Sequence, residues 1–137
     1  MPFINCQTGG MNFAFPDVCL TPIPSPVGPI PTPIPYPNTS MTPTAIPSQF
    51  KKFTNCGFDH NLMTIIPMSM GDNPGVMMNP LSGMVMGPTR HLMGSMKVFT
   101  AGVPATKMLS MSGQNGASPG AFGMALVPSQ FKVMVLA

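Results

Sequence analysis

The sequence predicts a small all-β fold in which short strands repeat about an approximate threefold axis. Apolar and polar residues alternate with a period of two in several runs, which is typical of strands. In addition, three segments of the chain resemble one another: SQFKKFTNCGFDH (48–60), GSMKVFTAGVPAT (94–106) and SQFKVMVLA (129–137). Three imperfect copies of one strand unit within a compact chain favour a pseudo-threefold arrangement.

The strands are expected where the alternation is clearest, as in Met-Ser-Met (68–70) and Lys-Val-Phe-Thr (97–100). Turn residues follow such runs at 71–75 and 113–116. Glycine and asparagine at these positions end strands and begin turns. Helices are not expected, because no window shows a 3.6-residue period and the chain contains no glutamate.

Residues 21–37, TPIPSPVGPIPTPIPYP, carry a proline at almost every second or third position. Proline fixes φ and lacks an N–H, which excludes a helix or a central strand here. We therefore expect an extended, polyproline-like segment. Apolar residues interleave with the prolines, which favours packing along a surface, such as that of a partner, over a solvated linker.

The composition excludes several classes of protein. The 137 residues fit a single domain, 1–137, and only 7 % of them are charged. No apolar run approaches the roughly 20 residues of a membrane-spanning helix, and the N terminus lacks the features of a secretory signal. The six Lys and Arg residues are too scattered for a nucleic-acid surface. The three cysteines are expected to be reduced thiols or metal ligands of a protein made in the cytoplasm.

The 16 methionines admit two interpretations. Either they supply adaptable apolar packing against a partner, or they fill an ordinary core. Among the polar residues, we interpret Asp17, Asn38 and Asp72 as groups that close local turns.

Several stretches together resemble the PAAR-like family of type VI secretion and related phage-tail-like systems. They are MNFAFPDVCLTP (11–22), PIPYPN (33–38), SMGDNPGV (69–76), SGMVMGP (82–88) and GSMKVFTAGVPATKM (94–108). The resemblance runs from about residue 5 to the end of the chain. It implies a conical β domain, a single copy of which sits by its base on a trimeric VgrG-type spike protein.

The resemblance also implies a structural function. The protein would cap and sharpen the spike, make transient contact with the target membrane during puncture, and aid effector delivery. It would lie in the bacterial cytoplasm before firing and reach the target cell on the spike. An alternative is an adaptor that loads a separate toxin effector onto the spike. A small metal-dependent enzyme or toxin is a third hypothesis, but three Asp and two His offer few catalytic groups, so we expect no enzyme.

A metal site is a further expectation. PAAR tips typically hold zinc near the apex with three His and one Cys, and this chain has only two His. Structural zinc accepts nitrogen and sulfur ligands, so the candidate ligands are Cys19, Cys56, His60 and His91. The alternative is that both histidines are hydrogen-bonded or surface residues and that the cysteines are small buried hydrophobes. No other cofactor is expected.

Overall fold

The computed structural model describes residues 3–136, and they form an almost entirely β structure. The strands are β1 (Met11–Ile23), β2 (Ile30–Met41), β3 (Phe53–Thr54), β4 (Gly57–Phe58), β5 (Ile65–Ile66), β6 (Thr89–His91), β7 (Phe99–Thr100), β8 (Val103–Pro104), β9 (Met111–Gln114) and β10 (Ala121–Val127). A single 3₁₀ turn, Thr42–Thr44, follows β2 in the described part of the chain. The predicted all-β class is confirmed. Among residues 3–136, no helix has the length and apolar character that crossing a membrane requires.

Six strands form one antiparallel sheet in the order β2-β1-β10-β9-β6-β5. The register of β1 with β10 runs from Met11 opposite Val127 to Ala14 opposite Gly123. Glycine is required at position 123, because a Cβ there would lie 2.0 Å from the Phe13 carbonyl oxygen. The backbones of β1 and β10 therefore approach more closely than any side chain at that point would permit.

The proline-rich segment is the outer part of a long hairpin. β1 and β2 pair antiparallel as far as Ile23 opposite Ile30, and a turn with a 3.0 Å hydrogen bond from Gly28 N to Ser25 O joins them. The predicted extended backbone is confirmed. The proline-rich segment is also not part of a central strand, because β2 lies at the edge of the sheet and β10 pairs with β1 only as far as Ala14. The difference from the expectation is that the segment pairs with its own neighbour in a β ladder, which edge strands permit for proline.

A ring of three backbone hydrogen bonds marks the approximate threefold axis. Asn5 N donates to Thr106 O at 3.0 Å, Thr106 N to His60 O at 3.2 Å, and His60 N to Asn5 O at 2.9 Å. Three antiparallel bridges flank these bonds in the same relation: Ile4–Lys107, Cys6–Asp59 and Asn61–Ala105. Each segment donates to one neighbour and accepts from the other, as a threefold arrangement requires. The predicted pseudo-threefold symmetry is confirmed.

The predicted copies share one turn geometry. In each copy a single side-chain oxygen accepts hydrogen bonds from the backbone N–H groups two and three residues further on. The acceptors are Gln49 Oε1, Ser95 Oγ and Gln130 Oε1. The carbonyl three residues after each acceptor then accepts an N–H from the residue that precedes the ring: Lys52 O from Asp59, Val98 O from Ala105, and Val133 O from Ile4.

The N terminus completes the third copy. Where the first two copies have the hairpins β3–β4 and β7–β8, the third has a bridge between Phe3 and Met134. Gln130 Nε2 donates to Ile4 O at 3.2 Å and to Val133 O at 2.7 Å. Gln49 Nε2 makes the matching bonds within the first copy, to Asp59 O and Lys52 O. One copy is thus assembled from residues near both ends of the chain.

Little of the interior is apolar. Ile4, Ala105 and Val135 form the buried apolar cluster, against which Val98 packs. Among residues 3–136, buried polar residues outnumber buried apolar ones. None of the methionines in that range is buried, so the core-filling interpretation is wrong for them. The fold depends mainly on paired backbone and side-chain polar groups, and each of these is costly to leave unpaired inside a protein.

Replacing Gln130 with alanine removes four hydrogen bonds: three within the third turn and one to Ile4 O, which joins the two ends of the chain. We expect the free energy of unfolding to fall by about 2–4 kcal/mol, because buried groups left unpaired cost about 1–3 kcal/mol each. Gln7→Ala, which removes one bond to Ala45 O, is the matched control and should lose only about 1 kcal/mol. Urea denaturation gives the free energy of unfolding of both variants. Equal losses would contradict the role of Gln130 in joining the two ends of the chain.

Candidate functional site

The three turns present an exposed apolar ring around the pseudo-threefold axis. Phe50, Met96 and Phe131 directly follow the three turn acceptors and are 66%, 90% and 74% exposed. Residues related by a threefold rotation lie at the same height along the axis, so these side chains belong to one surface. We call this surface, with the lysine that follows each of the three residues, the turn face.

Lysines accompany the apolar ring on the turn face. Lys51, Lys97 and Lys132 are exposed and occupy the same position in each copy. Exposed apolar groups clustered with charges of one sign are typical of a surface that a partner covers. The turn face would therefore suit a partner whose end is apolar, carries acidic groups and has threefold symmetry.

Aromatic pairs hold two of the three ring positions in place. Phe50 packs edge-on against Phe58 with ring centroids 5.2 Å apart, and Phe131 packs edge-on against Phe3 at 5.5 Å. Phe58 and Phe3 each lie two residues before a member of the hydrogen-bonded ring, so the two pairs are equivalent. Edge-to-face contacts of this kind stabilise a ring orientation by about 1 kcal/mol. Much of the turn face is therefore ordered before any partner binds.

A second feature is a buried polar cluster on which three of the motifs converge. Asp17 and Cys19 come from β1, Asn38 from the end of the proline-rich segment, and Asp72 from the glycine turn 71–75. These four residues are 0% exposed. We call Asp17, Cys19 and Asp72 the acidic cluster; one ligand atom from each lies within 4.8 Å of the others.

Three asparagines surround the Asp17 carboxylate. Asp17 Oδ1 accepts from Asn79 Nδ2 at 2.7 Å and from Asn115 Nδ2 at 3.2 Å, and Oδ2 accepts from Asn38 Nδ2 at 2.8 Å. Both oxygens of this buried carboxyl group therefore have amide hydrogen-bond partners.

Cys19 lies between the two carboxyl groups. Its Sγ is 3.6 Å from both Asp17 Oδ1 and Asp72 Oδ2. Burial, and then the negative charges of Asp17 and Asp72, raise the pKa of Cys19 to about 12. Burial also raises the pKa of Asp72, an effect to which Asp17 adds. A thiol in these surroundings keeps its proton at neutral pH unless a cation replaces it.

The glycines of the turn 71–75 allow the chain to close over the acidic cluster. A Cβ at Gly75 would lie 2.2 Å from the Cβ of Cys19, and a Cβ at Gly71 would lie 2.0 Å from the Pro37 carbonyl oxygen. Gly71 also has a φ of 129°, which side-chain-bearing residues rarely adopt. The turn was expected from the sequence, but the cluster beneath it was not.

The structure brings together only some of the candidate zinc ligands. Cys19 lies in the acidic cluster, whereas Cys56 is exposed in the tight turn between β3 and β4 with a φ of 66°. His60 and His91 are both buried, and neither imidazole has a hydrogen-bond partner in the described part of the chain. The set of three His and one Cys that the resemblance implies does not fit these positions. Zinc held by Cys19, Cys56, His60 and His91 stays a prediction.

The two histidines influence each other. Burial, and then the nearby His91, lower the pKa of His60 to about 3, and burial lowers the pKa of His91 to about 4. Both imidazoles are therefore neutral in the folded protein at neutral pH. In the unfolded chain each would take up a proton near pH 6.5.

The buried histidines predict that the protein loses stability as the pH falls. Below about pH 6.5 both histidines bind protons in the unfolded chain, whereas His60 and His91 in the folded protein do not. The free energy of unfolding therefore decreases toward pH 5. His60→Asn and His91→Asn should each reduce this slope by up to about 1.4 kcal/mol per pH unit. Urea denaturation of chelator-treated protein at pH 5 to 8 measures the slope. A wild-type stability that is constant or increases toward pH 5 would contradict the prediction.

Comparison with known protein families gives one match. The family model described as the toxin PAAR-like domain matches residues 10–120. This range includes the acidic cluster, both histidines and the first two copies of the repeat. No curated protein and no solved structure matches the chain.

Proposed function

Because the chain belongs to the toxin PAAR-like domain family, we propose that it is a structural cap for the trimeric spike of a bacterial contractile injection system. PAAR-like domains are associated with the spikes of type VI secretion and related systems. The partner proposed here is a trimeric VgrG-type spike protein. A single copy of the chain would cover the end of three spike chains.

The observation that carries this proposal is the threefold turn face. A single chain can satisfy three identical partner surfaces only if it offers three equivalent contacts, and Phe50, Met96 and Phe131 supply them. The hydrogen-bonded ring of Asn5, His60 and Thr106 fixes these contacts around one axis. Symmetry thus explains why one sequence repeats an exposed apolar residue followed by lysine three times.

The turn face also has the chemistry of a docking surface. Aromatic residues and methionine are enriched in the centres of protein interfaces, where they bury large apolar areas. The lysines next to them would steer the cap toward acidic groups on the spike end. Phe53, Phe99 and Met134 extend the apolar surface outward from each turn by one further exposed residue.

The interior favours a structural function over an enzymatic one. His60 and His91 are 0% and 4% exposed, so neither imidazole can readily reach a substrate in solution. The Cys19 thiol is buried and retains its proton, which makes it a poor nucleophile. Membrane puncture and carriage into a target cell follow from the proposed place at the spike tip.

One observation favours an additional adaptor function. Met96 also lines a largely apolar groove of about 610 Å³, together with Met93, Leu109, Met111 and Met124. Unbranched methionine side chains adapt to varied apolar partners. A separate effector protein could place an apolar segment against Met93, Leu109, Met111 and Met124 while the turn face, Met96 included, contacts the spike.

Charge substitutions on the turn face test the docking proposal. Phe50→Asp and Phe131→Asp should each weaken binding to a trimeric spike fragment at least about tenfold, because interface aromatics often contribute more than 1.4 kcal/mol. Val27→Asp is the matched control, since Val27 is 97% exposed at the tip of the β1–β2 hairpin, outside the turn face. Calorimetry or surface plasmon resonance gives the affinities.

Equal affinities for all three variants and the wild type would rule out the turn face as the docking surface. Loss of binding in Val27→Asp alone would assign docking to the hairpin tip. As a folding control, the far-ultraviolet circular dichroism spectrum of each variant should match that of the wild type.

A further inference from the structure

Two buried carboxyl groups lie side by side in the acidic cluster without a positive partner. Asp17 and Asp72 are 0% exposed. Within residues 3–136 neither forms an ion pair with lysine or arginine; the recorded ion pair joins Lys52 to Asp59. Burying two like charges together is unfavourable unless a proton or a cation neutralises one of them.

Hydrogen bonding distinguishes a proton from a cation. Asp17 receives three amide N–H bonds, so both of its oxygens already have hydrogen-bond partners. Asp72 Oδ2 accepts from Met86 N at 3.2 Å, but Asp72 Oδ1 is buried and has no hydrogen-bond partner. A proton on Asp72 Oδ1 would require an acceptor that the surroundings do not provide. A cation bound by the Asp72 carboxylate would compensate this buried, unpartnered oxygen electrostatically.

We propose that Asp17, Cys19 and Asp72 bind one divalent cation of the zinc class, at a site separate from His60 and His91. The proposal rests on the geometry of this chain and is independent of the spike-capping function. Its three protein ligands come from two distant parts of the sequence, β1 and the turn 71–75. Binding would therefore clamp the base of the long hairpin to that turn.

The distances in the acidic cluster suit such an ion. Cys19 Sγ lies 3.6 Å from an oxygen of each aspartate. Bonds of about 2.3 Å to sulfur and about 2.0 Å to oxygen at a tetrahedral centre place two ligands roughly 3.5 Å apart. The two sulfur–oxygen separations therefore already fit a shared zinc ion. Asn38, Asn79 and Asn115 would act as outer partners that orient the Asp17 carboxylate.

The thiol selects the class of metal. Thiolate ligands favour zinc and similar ions over magnesium and calcium, which prefer oxygen alone. On binding, the Cys19 S–H bond breaks, a sulfur–metal bond forms, and the proton passes to solvent, with no change of oxidation state. Because this proton is held tightly, the affinity for the metal should fall as the pH decreases.

Cobalt provides a direct test on the unmodified chain. Purified protein is stripped with a chelator and titrated with Co²⁺ alone, then with Zn²⁺. We expect one equivalent of Co²⁺ to produce a sulfur-to-cobalt charge-transfer absorption, which Zn²⁺ abolishes by displacement. A titration without charge-transfer absorption would overturn the proposal, because Cys19 would then not be a ligand.

Variants assign the site. Cys19→Ser and Asp72→Asn should each weaken Zn²⁺ binding at least tenfold, whereas Cys56→Ser and the double variant His60→Asn/His91→Asn should retain one equivalent of bound metal by elemental analysis. Retention by Cys19→Ser together with loss in the histidine double variant would overturn the proposal and assign the metal to the imidazoles. If Cys19→Ser fails to fold, the cobalt spectrum of the double variant Cys6→Ser/Cys56→Ser decides the same question. Retained charge-transfer absorption then comes from Cys19 and supports the acidic cluster, whereas its loss places the ligand at Cys6 or Cys56 and refutes the proposal.

Discussion

The hydrogen-bonded ring of Asn5, His60 and Thr106 is the constraint on which the rest of the structure depends. It brings three stretches of backbone to one axis and fixes the position of each relative to the other two. Once the ring is closed, the three turns that are hydrogen-bonded to its flanking residues must lie around the same axis. The threefold arrangement of the exposed residues of the turn face follows from this closure.

The ring closes without a large apolar core. Ile4, Ala105 and Val135 supply a small buried cluster, while most of the buried residues are polar. A narrow domain has little interior volume, so paired polar groups replace apolar packing. Gln49 and Gln130 illustrate the principle, since each side chain satisfies four backbone groups at once.

The sequence was sufficient to predict the β class, the threefold repeat and the positions of the first two copies. Segments 48–60 and 94–106 show the repeat because their side chains match, and matching side chains make the same turns. The completion of the third copy by the N terminus was harder to predict, because Phe3, which matches Phe58, is its one side-chain mark and Ile4 and Asn5 take part through backbone groups.

The acidic cluster escaped prediction for a different reason. Asp17, Asn38 and Asp72 lie in stretches rich in proline and glycine, where local rules favour an interpretation as turn residues. Only the pairing of β1 with β2 and the close approach of Gly75 to Cys19 bring them together. The sequence did contain one signal of the cluster: Asp17, Asn38 and Asp72 all lie in motifs that carry the family resemblance.

The long hairpin and the turn face are two distinct parts of the molecular surface. The turn face is apolar, basic and threefold, whereas the hairpin is narrow, rich in proline and paired only with itself at its tip. A molecule with these two surfaces is suited to attach by one and to lead with the other. This arrangement is the structural basis of the function proposed above, at the end of a three-chain partner.

The central claim is that a single pseudo-threefold chain occupies the end of a true threefold one. Native mass spectrometry of the chain mixed in excess with a trimeric spike fragment measures this directly. The account predicts one copy bound to three spike chains, with no further binding at higher excess. Three copies per trimer, or none, would contradict it.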